Sequence, residues 1–295
     1  RGPAADSALI AALPRASGPN RVGIVGLLGA RRVADAIPAL ASLLGGGDDT
    51  AIAVAAAEAL GHIGGSAAES ALTKVRAGNR PPAVNAAIDR ALLEIAETAR
   101  SSGDRASATQ AYARLSADET VAAHIRAAAF YGATMLKGES GATDAVKSLR
   151  GDNVERARAA ARLVTDLPGQ AIAQATADAL PTLQPVSQNL AIDALAKRGE
   201  RSALPAVMSL LAAQDGSVRL AALRAIGRLG DASTVERVVA VASDEARDRA
   251  ERDAARETLA SMNGPGIDEA LIARMQTAKG SARSEYAKAL GTRKA

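Results

Sequence analysis

An all-α solenoid, an α-α superhelix of about nine stacked helical hairpins, is the fold this sequence predicts. Three observations predict it. First, two distant stretches share one pattern. Residues 36–65 run Ala36-Ile37-Pro38-Ala39-Leu40, Leu43-Leu44, Asp48, Ala55-Ala56-Ala57 and Leu60-Gly61-His62-Ile63-Gly64. Residues 203–231 run Ala203-Leu204-Pro205-Ala206-Val207, Leu210-Leu211, Asp215, Ala221-Ala222 and Ile226-Gly227-Arg228-Leu229-Gly230-Asp231. Second, apolar residues make up 48% of the chain but aromatics only 1%, so the apolar content leans on Ala and Leu. These are strong helix formers and suit thin helix-on-helix contacts better than a deep central core. Third, the alternation expected of half-buried strands is hard to find.

Each unit reads as a helix A, a short turn and a longer helix B. The predicted units are 4–31, 34–65, 66–101, 104–138, 141–168, 170–199, 201–231, 232–263 and 265–292, one array over 1–295. Asp48, Asp118, Asp152 and Asp215 are placed to accept hydrogen bonds from the free amides of a first helical turn. Gly29, Gly64, Gly65, Gly138, Gly199, Gly230 and Gly264 are predicted as left-handed C-terminal caps. Pro38 and Pro205 fall in the opening turn of a helix A, where a missing amide hydrogen costs least. The chain begins at Arg1 without Met and ends in Leu290-Gly291-Thr292-Arg293-Lys294, which reads as one more repeat and not as a polar cap. It is therefore expected to be a piece of a longer protein.

Charge excludes several functions. The net charge is +4, and the two halves carry 16 basic with 14 acidic and 20 basic with 18 acidic side chains, so neither half is a basic arm. A phosphate-tracking surface needs a denser basic stripe. Without cysteine there is no disulfide and no thiolate metal site. The two histidines, His62 and His124, lie in no ligand-spaced cluster, so no metal is expected. No apolar run approaches the length of a membrane span, so no membrane insertion is expected. No targeting signal is visible, and a cytoplasmic and an extracytoplasmic location are both compatible with these residues.

The series at 203–231, completed by Asp215-x-x-Val218-Arg219, resembles a HEAT repeat of the bacterial PBS-lyase HEAT-like type, an armadillo-type α-solenoid. The likeness is strong at 34–65 and 201–231 and fair at 141–168 and 232–263. It is weak at 66–138, where helix B lengthens and Ala108, Ala111 and Tyr112 equally suit a tetratricopeptide-like pair. The resemblance implies a scaffold or adaptor, and it implies that Arg219 pairs with a turn aspartate, with Asp48 and Asp215 placed for such pairs.

Aligning the helices B puts Arg21, Arg126, Arg219, Arg252 and Arg283 at one register, with polar Asn85 and Gln188 and gaps at Ala53 and near Ala157. A basic ladder on the concave face is the functional alternative to the structural pairing. Phe130 aligns with core Leu223, whereas Tyr131 aligns with Arg224 and is expected at the surface. Arg126, Tyr131, Arg219 and Arg252 are thus the candidate partner-binding residues. Residues 22–30 superficially suggest a dinucleotide loop, but Gly23, Gly26 and Gly29 are three apart and predict a helix face against small residues. No catalytic constellation, cofactor loop or metal cluster is visible, so no catalytic, cofactor or metal residue is expected.

The function expected is a non-enzymatic scaffold or adaptor that binds a protein or peptide partner on its concave helix B surface, or a spacer within a larger multidomain protein. A nucleic-acid-binding HEAT-like protein and a tetrapyrrole (bilin) lyase-type enzyme are the alternatives.

Overall fold

The computed structural model describes residues 2–46, 49–78 and 80–293. Among them are eighteen α-helices and no strand. The chain forms two compact units, Arg1–Leu136 and Lys137–Ala295. In the first unit, helices A and B alternate as α1 (Pro3–Ala12), α2 (Gly18–Ala30), α3 (Ile37–Gly45), α4 (Thr50–Ile63), α5 (Gly65–Arg76), α6 (Pro82–Ser101), α7 (Arg105–Ala117) and α8 (Ala123–Lys137). The second unit holds α9 (Ala142–Leu149), α10 (Val154–Asp166), α11 (Ala171–Ala179), α12 (Pro185–Arg198), α13 (Leu204–Ser209), α14 (Gly216–Leu229), α15 (Val235–Ser243), α16 (Arg249–Ser261), α17 (Ile267–Thr277) and α18 (Gly280–Arg293). The helices pack in neighbouring pairs, as an all-α solenoid requires.

Within each unit the main contact runs from one helix B to the next. In the first, α4 packs on both α2 and α6; in the second, α10, α12, α14, α16 and α18 follow one another. Most helices A lie against their own helix B and touch the following helix A more lightly, as α3 does α5 and α9 does α11; α7 packs instead on α6 and α11 on α9. Neither layer could bury its apolar stripe alone, so every hairpin is covered by its neighbours.

The buried side chains are those the repeat pattern singles out. Leu40, Leu44, Leu60 and Leu72 are fully buried in the first unit, and Leu163, Leu195, Val207 and Ile226 in the second. Burying one such side chain stabilises by about 1.5–3 kcal/mol. Phe130 is in the core as expected, and Tyr112 is fully buried on α7. Tyr112 lies over Gly132 of α8, where no β-carbon would fit beside the ring. Burial is the main cause that pushes the Tyr112 phenol above its usual range; nearby Glu97 adds to the shift and Arg100 opposes it.

The helices B approach closely because small residues meet where they cross. A β-carbon on Gly29 would lie 2.7 Å from Ala59 Cα, and one on Gly61 2.9 Å from Ala91 Cβ. Farther along, Thr258 of α16 donates its buried hydroxyl to the carbonyl of Leu223 on α14 (3.0 Å), a hydrogen bond passed directly from helix B to helix B. Of the glycines at 23, 26 and 29, only Gly29 faces a neighbouring helix; Gly23 and Gly26 point into open space. The expectation of one small-residue face over all three is corrected accordingly.

Several predicted caps shift by a residue. Asp215 does cap α14, accepting from the amides of Ser217 (2.8 Å) and Val218 (3.4 Å). Asp48 lies outside the described residues, and Asp49 caps α4 through the amides of Ala51 (2.9 Å) and Ile52 (3.2 Å). Asn153, not Asp152, caps α10. Asp118 belongs to the loop before α8, where it accepts from the amide and hydroxyl of Thr120 (2.9 and 2.7 Å). A capping side chain reaches only the amides two and three residues on, so the acceptor must directly precede the first helical residue.

Gly199 ends α12 in the left-handed conformation, φ 73°. Gly29 and Gly230 do not end their helices this way. α2 continues past Gly29 to Ala30, and its left-handed residue is Arg32 (φ 55°). Gly230 is extended, and a β-carbon there would meet the carbonyl oxygen of Ile226 at 2.6 Å. Gly264 is likewise a site of close approach, 2.9 Å from Asp231 Cα by the same measure. Pro38 and Pro205 are the second residues of α3 and α13, as expected.

Two substitutions three residues apart on α2 should act in opposite directions. Gly29→Ala forces a β-carbon into the backbone of α4 and should cost about 1–3 kcal/mol. Gly26→Ala adds a methyl to an exposed helical position and should stabilise by about 0.5–1 kcal/mol. Urea unfolding midpoints followed by circular dichroism will read both.

Candidate partner-binding surface

The register predicted from sequence is the fourth residue of each helix B: Arg21, Ala53, Asn85, Arg126, Ala157, Gln188, Arg219, Arg252 and Arg283. Several of these side chains fold back onto the backbone leading into their own helix. Arg21 donates to the Pro14 carbonyl (3.4 Å), Arg126 to that of Glu119 (2.7 Å) and Gln188 to that of Leu180 (3.0 Å). Arg219 Nη1 donates to the carbonyls of Ala213 and Gln214, each at 2.7 Å. At the gap left by Ala157, the preceding Arg156 donates to Ser148 Oγ (3.2 Å) instead. These acceptors lie in the connection between helix A and helix B, where the polar residues donate to carbonyls inside the hairpin.

Arg219 turns its remaining donors to the next helix B. Its Nε donates to Glu251 Oε1 (2.8 Å), Nη2 bonds the same oxygen, and Arg247 reaches Glu251 Oε2 (3.0 Å). Asp215 is occupied with its cap, so the partner of Arg219 is Glu251 and not the turn aspartate. The Glu251 side chain is only 3% exposed. The hydrogen bond from Arg219 is the leading cause that holds its carboxyl below the usual glutamate range, with burial opposing. Glu285 repeats the arrangement on α18, where Arg256 lowers it most.

Arg252 has no such partner. Glu251 is the third residue of α16, and the third residue of α18 is Ala282. Arg252 is half-buried, and its Nε finds no acceptor. Arg126 and Tyr131 are half-buried too, so Tyr131, aligned with exposed Arg224, reaches the surface only in part. His62 and His124 are exposed, and His62 Nδ1 meets Glu94 of α6 at 2.8 Å. Among the described residues no group of three metal-ligating side chains occurs.

On α2 and α8 the ninth residue of helix B is uncharged, Gly26 and Tyr131, but on the other helices B it is charged and faces solvent. It is Glu58 and Arg90 on α4 and α6, paired at 3.6 Å in the first unit. In the second unit it is Arg162, Asp193, Arg224, Glu257 and Lys288, all exposed and alternating in sign from helix to helix. Between α12 and α14 this surface sinks into a groove of about 390 Å³. Ile192, Ala196, Ala221 and Ala225 line its apolar part, with Asp193 on one wall and Arg224 and Arg228 on the other. Asn189 Nδ2 donates to Ser217 Oγ (2.9 Å) across it.

Two arginines not singled out from sequence finish the ends of preceding helices. Arg198, the last residue of α12, donates to the carbonyls of Val164 (3.0 Å) and Leu167 (2.6 Å) at the end of α10, and also bonds Gly169. Arg293 does the same for α16 through Leu259 (3.0 Å) and Met262 (2.5 Å). A basic residue closing a helix B is a visible signal, but its target belongs to the helix before, one repeat away.

Comparison with known proteins agrees with the geometry. The family described as HEAT repeats matches residues 173–260, from α11 into α16. No curated protein sequence matches the chain. The crystal structure of a Kap121p mutant is similar over 99% of this chain and 38% of its own, at 11% identity and a TM-score of 0.57. The chain thus spans little more than a third of that structure, and the likeness shows the fold. Human deoxyhypusine hydroxylase in complex with glycerol aligns over 94% of this chain and 99% of its own, at 14% identity and a TM-score of 0.33.

Ala282→Glu should offer Arg252 the carboxylate it lacks and stabilise by about 1 kcal/mol, read as a raised urea midpoint. The depressed Glu251 and Glu285 stabilise the fold when ionised, so their contribution is present above the ordinary glutamate pKa and is lost as pH falls through the lower folded values. The wild-type midpoint should therefore drop between about pH 5 and pH 3. A Glu251→Gln/Glu285→Gln variant should be less stable at pH 7 and show a shallower drop over that window.

Proposed function

We propose that this HEAT-repeat protein is a non-enzymatic scaffold that binds a protein or peptide partner along the surface of its helices B, the concave side in the repeats it resembles. The observation that carries the reading is the α12–α14 groove, which lies within the matched segment 173–260. It combines an apolar floor with exposed guanidiniums, the mixture that anchors a peptide: buried area for affinity and a few polar groups for orientation.

The alternation of charge at the ninth helix B position supports a protein partner over a nucleic acid. A phosphate backbone gains from successive cations, and here Arg162 and Arg224 are each followed by an acid at the same position of the next helix B. The folding back of Arg126 and Arg219 onto hairpin carbonyls also removes them from a basic track. Tyr131 and Arg252 keep a place in the reading as half-covered contacts at the edge of the same helices. No helix of the described residues is long and apolar enough to cross a membrane.

The groove is tested with peptides selected from a random display library on the immobilised chain. Ala221→Trp, which fills the floor, should weaken the selected peptides roughly tenfold or more. Arg237→Glu, at an exposed position of α15, should leave them unchanged. Peptides indifferent to Ala221→Trp, or salt-steep sub-micromolar binding to single-stranded DNA, would overturn the reading.

A further inference from the structure

Arg224 and Arg228 are the unspent charges of this surface. They sit one helical turn apart on α14, about 6 Å along its axis. Both are exposed, and neither forms an ion pair among the described residues. Their neighbours differ: Arg162 is paired with Asp166, Arg219 with Glu251, Arg249 with Asp253 and Arg256 with Glu285. The acid across the groove, Asp193, is occupied by Lys197 at 2.7 Å. Two cations that form no ion pair therefore border one apolar floor.

The far end of the groove holds a second unmet group. Asn189 uses its amide hydrogens on Ser217, while its buried Oδ1 has no donor. An unsatisfied amide oxygen beside a peptide-sized groove is suited to a backbone N–H, the donor that every residue of an extended chain except proline brings. An extended chain is narrower than a helix, which is about 10–12 Å across. Its alternate side chains point to one face about 6.6 Å apart, which matches the rise between the two arginines.

We propose that the α12–α14 groove binds an extended acidic segment of a partner protein, with carboxylates at alternate positions held by Arg224 and Arg228. This rests on the helix B reading above and names the chemistry of its partner. Each guanidinium can grip a carboxylate through two parallel hydrogen bonds, a geometry that lysine would not reproduce. The residue between the two acids points away from the arginines and is free in identity.

The test is fluorescence anisotropy on the full chain with a fluorescein-labelled peptide of alternating Glu and Ser. Peptides of the same length with Gln or Lys in place of Glu are the controls. The Glu–Ser peptide should bind and the others should not, and its affinity should fall as salt rises. Arg224→Glu/Arg228→Glu should weaken it roughly 100-fold and Arg224→Gln/Arg228→Gln roughly tenfold, because charge reversal adds repulsion to the lost contacts. Arg237→Glu should change nothing. Equal binding of the Gln–Ser peptide, equal loss on Arg237→Glu, or tighter binding of a single-stranded oligonucleotide at the same salt would overturn the proposal. If the Glu–Ser peptide fails while library-selected peptides still depend on Ala221, the acidic preference alone falls. If both fail, the helix B reading falls with it.

Discussion

The close approach of one helix B to the next within a unit is the constraint on which the rest of this structure depends. Where two such helices cross, Gly29 lies against Ala59, Gly61 against Ala91, and Thr258 beneath the backbone at Leu223. Backbone-to-backbone packing leaves no room for large side chains at the crossing, which accounts for the scarcity of aromatics and the abundance of Ala. It also fixes which side of each helix B remains outside. The fourth residue is placed beside the hairpin turn and the ninth on the open face, and every functional argument follows from that division.

The same closeness explains the polar chemistry. Packed helix ends and the connections between them cannot all be solvated, so their carbonyls need donors from elsewhere in the protein. Arg126, Gln188 and Arg219 supply them within a hairpin, while Arg198 and Arg293 supply them to the helix before. Arginine suits the task because its donors fan out in a plane and one side chain can serve several acceptors. Charges bound up in this way are structural. Those left over, Arg224 and Arg228 above all, are the ones open to a partner.

Much of the fold was legible because the repeat writes it twice. The hairpins and the prolines at the start of α3 and α13 follow from aligning 36–65 with 203–231, and the burial of Phe130 from its alignment with Leu223. The helix B register was legible too, including its gaps at Ala53 and Ala157. The destination of those side chains was not. Asp215 and Arg219 are four apart and look like a pair in the sequence, yet Asp215 is held by amides of its own helix and Arg219 by Glu251, 32 residues on. Burial decided that competition, and burial across a repeat boundary has no local signature. The glycines misled for a related reason, since Gly29 and Gly230 answer to a neighbouring backbone and not to a left-handed turn. The groove itself was hidden because it is made by two helices, and its residues are unremarkable in either one alone.

Because Arg198 closes the end of α10 and Arg293 that of α16, each of these helices is completed by residues that leave the ribosome after it. During synthesis α10 must wait, with bare terminal carbonyls, until the following repeat has emerged and coiled. Assembly thereby acquires a direction: a nascent chain halted between repeats carries one raw end, and the next hairpin to arrive is the piece that seals it.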